Sequence, residues 1–201
     1  MASIVVPFRG SGAKLRLTPV PERARAELAL AMLGDLLAAC ARVGRTTLVT
    51  EDAEAIALAR ELDVRPLADP GGGQGAAVAA ALAEADDGPI LVVNADLPCA
   101  VPRDLRSLLR AMPAAGMALV AARDGTTNAL GLSAAQSFAP LYGPGSADRF
   151  RARAAGLGLE AVSATIPNLA DDVDTLADLQ RVGLRAGPRT QAAISALGLA
   201  A

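Results

Sequence analysis

Histidine is absent from this chain, and its absence removes more chemistry than any other feature of the composition. Without imidazole there is no Ser-His-Asp or Cys-His nucleophile system, no histidine general base and no His-ligated zinc. Aromatics are scarce as well: no Trp, one Tyr and three Phe, which argues against base-stacking platforms for nucleic acid. The two cysteines, Cys40 and Cys99, lack metal-ligand spacing and fit a reducing cytoplasm. No basic block occurs and the net charge is −2, so neither nucleic acid nor an anionic membrane finds an electrostatic foothold. Apolar runs are broken by charge well short of the ~20 residues that span a bilayer. No N-terminal signal peptide is visible either.

What is present is an alanine-, valine- and leucine-rich chain of 201 residues with 52% hydrophobic content, enough for one sizeable core. Its chemical inventory is carboxylates, arginines, backbone amides and one lysine, Lys14, among 19 basic residues. Phosphoryl or nucleotidyl transfer fits that inventory, because it depends mainly on positioning and charge stabilisation.

The segment Ile90-Leu-Val-Val-Asn94-Ala-Asp96-Leu-Pro98 reads as a buried strand running into a carboxylate. In parallel α/β sheets, ligands bind at the carboxyl ends of strands. Asp96 there suits a divalent cation that grips phosphate oxygens, or equally a turn or helix N-cap. A second cluster, Asp171-Asp172-Val173-Asp174-Thr175, enters the amphipathic helix 176–182. Capping by Asp174 or Thr175 explains one acid cluster more easily than two strand-end clusters in one small domain. Asp96 with Asp172 and Asp174 could hold one or two magnesium ions. Lys14 lies in Phe8-Arg9-Gly10-Ser11-Gly12-Ala13-Lys14-Leu15-Arg16 after the first strand. Its glycines allow close approach to phosphates that Arg9, Lys14 and Arg16 could neutralise. The spacing is neither a P-loop nor a Rossmann fingerprint. Two further glycine loops, 71–75 and 143–145, precede helices and could present amides to an anion, with Ser146 capping the second helix.

Strand and helix signals alternate along the chain. Strands are predicted near 3–7, 46–50, 64–67, 90–94, 117–122, 129–132 and 159–165, with helices near 21–43, 53–62, 76–85, 102–112, 146–156 and 176–182. This predicts a single-domain three-layer α/β/α sandwich, 1–201, with a mostly parallel mixed sheet and a less regular insertion near 124–146. Residues 186–201 read as a frayed or helical tail.

Taken in order, Ala13-Lys14-Leu-Arg16-Leu17, Ala95-Asp96-Leu-Pro98, Gly125-Thr-Thr-Asn128-Ala-Leu130, Gly143-Pro-Gly-Ser146 and Asp172-Val-Asp174-Thr175 resemble one family. It is the phosphoenolpyruvate and 2-phospho-L-lactate guanylyltransferases of coenzyme F-420 biosynthesis. The resemblance implies a nucleotidyltransferase (nucleotide-diphospho-sugar transferase-like) fold, cytoplasmic location and transfer of GMP from GTP to a three-carbon phospho-acid, with pyrophosphate released. It implies Mg²⁺ on Asp96, Asp172 and Asp174, and GTP held by Arg9, Lys14 and Arg16 with the loop of Gly73 and Gly75. Lys14, Asp96 and Asp172 would be catalytic, and Asn128, Gly143 and Ser146 would hold the acid. It also leaves room for a homodimer and for hand-over of a labile product to a downstream transferase. There are three departures from the common pattern: Gln74-Gly75 stands where many relatives carry Leu-Asn, Phe150 replaces a frequent histidine, and Arg9 replaces a lysine. Against this reading stand molybdopterin or sugar-phosphate nucleotidyltransferases, which typically begin with a longer glycine-rich motif. A non-catalytic nucleotide-binding regulator would bind ligand without releasing pyrophosphate.

Overall fold

The structure is a computed structural model that describes residues 1–10, 17 and 20–199. The chain order is β1 (Ala2–Pro7), α1 (Glu22–Ala41), β2 (Gly44–Val49), α2 (Ala53–Glu61), β3 (Arg65–Leu67), α3 (Gln74–Ala83) and β4 (Ile90–Val93). It continues with α4 (Pro102–Ala111), β5 (Gly116–Ala121), β6 (Thr127–Leu132), α5 (Ser146–Gly156), β7 (Glu160–Ser163), α6 (Pro167–Ala170), α7 (Leu176–Val182) and α8 (Pro188–Ala196). The seven strands form one sheet in the order β3-β2-β1-β4-β6-β5-β7.

Side-chain alternation along the buried strands builds two apolar layers, one on each face. In β4, Leu91 and Val93 join α1, α2, α4 and α7 on one side, whereas Ile90 and Val92 join α3 and α5 on the other. Leu28, Leu33, Leu36 and Leu37 of α1 are wholly buried, each worth about 1.5–3 kcal/mol against exposure. This is the expected three-layer sandwich.

Strand β6 corrects the expected insertion. It is a fully buried strand, antiparallel to both β4 and β5. The link between β5 and β6, residues 122–126, is too short for a parallel crossover, so the chain must turn back. Gly44, just past the helix expected near 21–43, is the first residue of β2. A Cβ there would lie 2.3 Å from the Ala2 carbonyl oxygen. The tail beyond 186 forms α8 and packs on α1. Asp35, on α1, caps α8 from across the molecule, accepting from the amides of Arg189 (3.0 Å) and Thr190 (2.8 Å). No described helix is long and apolar enough to cross a membrane.

Candidate active site

Strands β1 and β4 lie side by side and parallel, with β2 and β3 continuing from β1 and β6 from β4. The chain winds in opposite senses from this point, which opens a crevice at the strands' carboxyl ends. A cleft of about 690 Å³ lies there. It is bordered by Arg9 and Gly10 after β1, Asn94 to Asp96 after β4, the glycine loop that starts α3, the 140–143 segment, and Asp174.

Asp96 is placed by the end of β4, where Pro98 prevents the strand from continuing. Its Oδ1 is buried with no hydrogen-bond partner among the described residues. Burial, then the charges of Asp172 and Asp174, push its carboxyl up to about 7. The charges of the distant acids therefore bear on Asp96, though the second cluster is placed otherwise than the sequence suggests. The second cluster does not end a strand: β7 stops at Ser163, α6 intervenes, and 171–174 is an irregular loop. The Val173 amide ties this loop to the end of β4 by donating to the Asp96 carbonyl (3.1 Å).

Asp172 is raised chiefly by burial, while the Asn128 amide opposes the rise by donating to its Oδ1 (3.3 Å). Asp171 faces the other way, beside Arg123, Arg181 and Arg185. Burial would raise its carboxyl, but these guanidinium groups, Arg185 foremost, hold it below its ordinary value. One cluster thus places Asp174 on the border of the cleft and Asp172 against Asn128, and neutralises Asp171 with arginines.

Among the described residues no three carboxylate, thiol or imidazole side chains stand together as a ready-made ion cage. Magnesium does not need one, because it commonly takes one or two carboxylates and completes its octahedron with phosphate oxygens and water. The orphaned buried oxygen of Asp96, with Asp174 bordering the same cleft, fits such an ion with a nucleotide.

Arg9 lies against the loop that opens α3: a Cβ on Gly73, at φ +96, would sit 2.9 Å from Arg9 Nη2. Gly75 also borders the cleft, and a Cβ there would sit 2.4 Å from Pro140 Cβ. That spacing explains its identity by packing as well as by ligand approach. Lys14 and Arg16 lie outside the described residues.

The three residues expected to hold the acid differ in their settings. Gly143 borders the cleft with φ +110. Asn128 is buried on β6 and spends its amide on Asp172. Ser146 does not cap α5: Gly145 occupies the cap position, and Ser146 Oγ donates to Thr127 Oγ1 at 3.0 Å. The Ser146 amide bonds the Gly143 carbonyl, and the Ala147 amide bonds that of Gly125. Phe150 is wholly buried and stacks edge-on with Tyr142, whose hydroxyl is buried without a partner among the described residues.

Sequence reasoning singled out Gln74 only as a departure from the family pattern, and gave Asn94 no role. Gln74 Nε2 donates to Asn94 Oδ1 (2.7 Å), and Asn94 Nδ2 donates to the Thr127 carbonyl (3.2 Å). This relay joins the glycine loop to β6. Only the position of Asn94 two residues before Asp96 hinted at it.

The family model described as "Guanylyl transferase CofC like" matches residues 2–192. A phosphoenolpyruvate guanylyltransferase of Nocardia farcinica is 39% identical over 187 residues, covering 87% of this chain and 81% of that protein. One from Streptomyces coelicolor is 37% identical over 212 residues, covering 98% of each. Among solved structures, a nucleotidyl transferase from Methanothermobacter superposes with TM-score 0.64 at 19% identity, over 90% of this chain and 95% of that one. A 4-diphosphocytidyl-2C-methyl-D-erythritol synthase gives TM-score 0.65 at 17% identity, over 92% and 98%. These last two establish the nucleotidyltransferase fold.

Proposed function

This chain belongs to the CofC-like guanylyl transferase family, and on that premise we propose that it moves GMP from GTP to a three-carbon phospho-acid. Phosphoenolpyruvate is the favoured acceptor, since relatives covering nearly the whole chain carry that name. The observation that supports the proposal is the orphaned buried oxygen of Asp96 at the switch-point cleft, which Asp174 also borders, with the charges of Asp172 and Asp174 acting on it.

The reaction balances without a general base. A phosphate oxygen of the acid, already ionised, forms a bond to the α-phosphorus of GTP. The bond from that phosphorus to the bridging oxygen of the β-phosphate breaks, and pyrophosphate leaves with the electron pair. The absence of histidine is therefore no obstacle. Asp96 and Asp172, with Asp174, would hold Mg²⁺, which supplies charge neutralisation to the phosphate oxygens.

The chain's own residues do the rest. Arg9, with Lys14 and Arg16, screens the triphosphate, while the loop of Gly73 and Gly75 lets the nucleotide approach the backbone. Gly143 borders the acid's side of the cleft. Asn128 keeps Asp172 oriented, and Ser146 fixes the start of α5 through Thr127. The product is an activated diphospho anhydride, so a transferase that consumes it acts next, in coenzyme F-420 assembly in the cytoplasm.

Pyrophosphate release tests this with each nucleoside triphosphate paired against phosphoenolpyruvate, 2-phospho-L-lactate and 3-phosphoglycerate, with and without Mg²⁺. Release should require Mg²⁺, GTP and one of the acids. GTP giving no release with any of the three would refute the substrate assignment.

A further inference from the structure

The loop that carries Asp172 and Asp174 has no strand or helix to hold it, yet Asp174 borders the same cleft as Asp96 and the charge of Asp172 also bears on Asp96. Mutual repulsion works against that placement, so the restraint has to come from outside the cleft. Part of it is the bond from Val173 to the end of β4. Another part is the capping box of α7. The amides of Asp174 (3.2 Å) and Thr175 (2.8 Å) and the Thr175 hydroxyl (2.7 Å) all donate to Asp178 Oδ2.

Arg181, one turn further along α7, joins these parts. Its Nη1 donates to Asp178 Oδ1, its Nη2 to the Asp172 carbonyl (3.2 Å), and its Nε to Asp171 Oδ1 (3.3 Å). Three nitrogens of one planar group thus hold the cap, the backbone of the acid loop and the outward-facing acid. The side chain is 26% exposed and does not border the cleft.

We propose that Arg181 is a positioning residue for the guanylyl transfer: it fixes the acid loop so that Asp172 and Asp174 meet the metal-bound nucleotide. The inference rests on the reading of those acids given above. A lysine cannot reproduce the arrangement, because a single ammonium on a flexible stem lacks the rigid fork. Arg185 provides the internal control. It also pairs with Asp171, at 2.7 Å, but its other partners are Asn168 and the Arg181 carbonyl, so it leaves the backbone of the acid loop untouched.

The test titrates Mn²⁺ into wild type, R181K, R181Q and R185Q, with the free ion followed by electron paramagnetic resonance. Thermal melting and the Mg²⁺ dependence of pyrophosphate release are measured on the same samples. Outer-sphere partners of metal sites commonly matter by about 10- to 100-fold. R181K should therefore bind Mn²⁺ about tenfold more weakly and need correspondingly more Mg²⁺, while melting close to wild type. R185Q should stay within about twofold of wild type in both metal readings. If R181Q fails to fold, R181K decides. Wild-type Mn²⁺ affinity and Mg²⁺ dependence in R181K would overturn the proposal, whatever happens to its melting temperature. A wild-type protein that takes up no Mn²⁺ and releases no pyrophosphate would instead bring down the functional reading, and the inference with it.

Discussion

Asp96 carries two opposed demands: its oxygen is buried like a core atom, yet the proposed chemistry needs its charge. Replacing it with Asn keeps the shape and removes the charge, so Asp96→Asn should lower turnover by at least ~100-fold, as for other lost transition-state electrostatics. Near-normal turnover in pyrophosphate-release assays would take Asp96 out of the mechanism. The same residue predicts a stability trend. An unfolded aspartate titrates near 3.8, whereas folded Asp96 titrates at about 7. Between those values the folded state holds the extra proton, so without divalent ions stability falls as pH rises from about 4 toward 7. Asp96→Asn should flatten part of that slope, with the part due to Asp172 remaining. Melting temperatures at pH 4.5 and pH 8 measure it, and identical slopes in the two proteins would contradict the assignment. The placement of Asp96 was legible because a carboxylate and a proline following an apolar run imply a strand end. Asn128 was legible only as a motif member. Its bond to Asp172 depends on β6 lying beside the acid loop, and no local pattern encodes that pairing.

At the scale of elements, the termini of the helices show where local sequence suffices. Thr175 and Asp178 form the capping box of α7, a spacing readable directly from the chain. Thr175→Ala should cost about 1 kcal/mol of stability, measured by denaturant unfolding. The cap of α8 is of another kind, since Asp35 lies in the middle of α1. Asp35→Ala would strip the buried amide and hydroxyl of Thr190 of their acceptor and cost about 2–3 kcal/mol. A loss below half a kcal/mol would show that α8 contributes little to the fold. Ser146 failed as an expected cap for a related reason. Gly145, at φ +68, makes the turn, which frees the Ser146 hydroxyl to reach Thr127 on β6.

Across the whole molecule, the central strands β1, β4 and β6 are buried on both faces, and the cleft sits on their shared edge. Phe150 illustrates the coupling, because it fills the layer between α5 and the sheet while touching Tyr142 next to Gly143. Phe150→Ala should cost about 3–5 kcal/mol, and by loosening the 140–143 segment it should raise KM for the acid acceptor. Calorimetry and steady-state kinetics check the two effects separately. Strong destabilisation with an unchanged KM would show that the segment is held independently, for instance by Arg149, which donates to the carbonyls of Leu141, Tyr142 and Pro144.

Composition and periodicity alone determined the kind of chemistry open to this protein and the layered class of its fold. A chain without histidine but with clustered acids is suited to charge stabilisation, and apolar strand runs that alternate with helices bury themselves between helical layers. The ordered motifs narrowed this to one family. Tertiary structure decided which acid of the second cluster borders the cleft and which pairs with arginine, that β6 runs against its neighbours, and that Arg181 and Asn128 hydrogen-bond to the acid loop. Those outcomes depend on contacts between residues tens of positions apart, whose energies belong to the packed arrangement and leave no periodic trace along the chain.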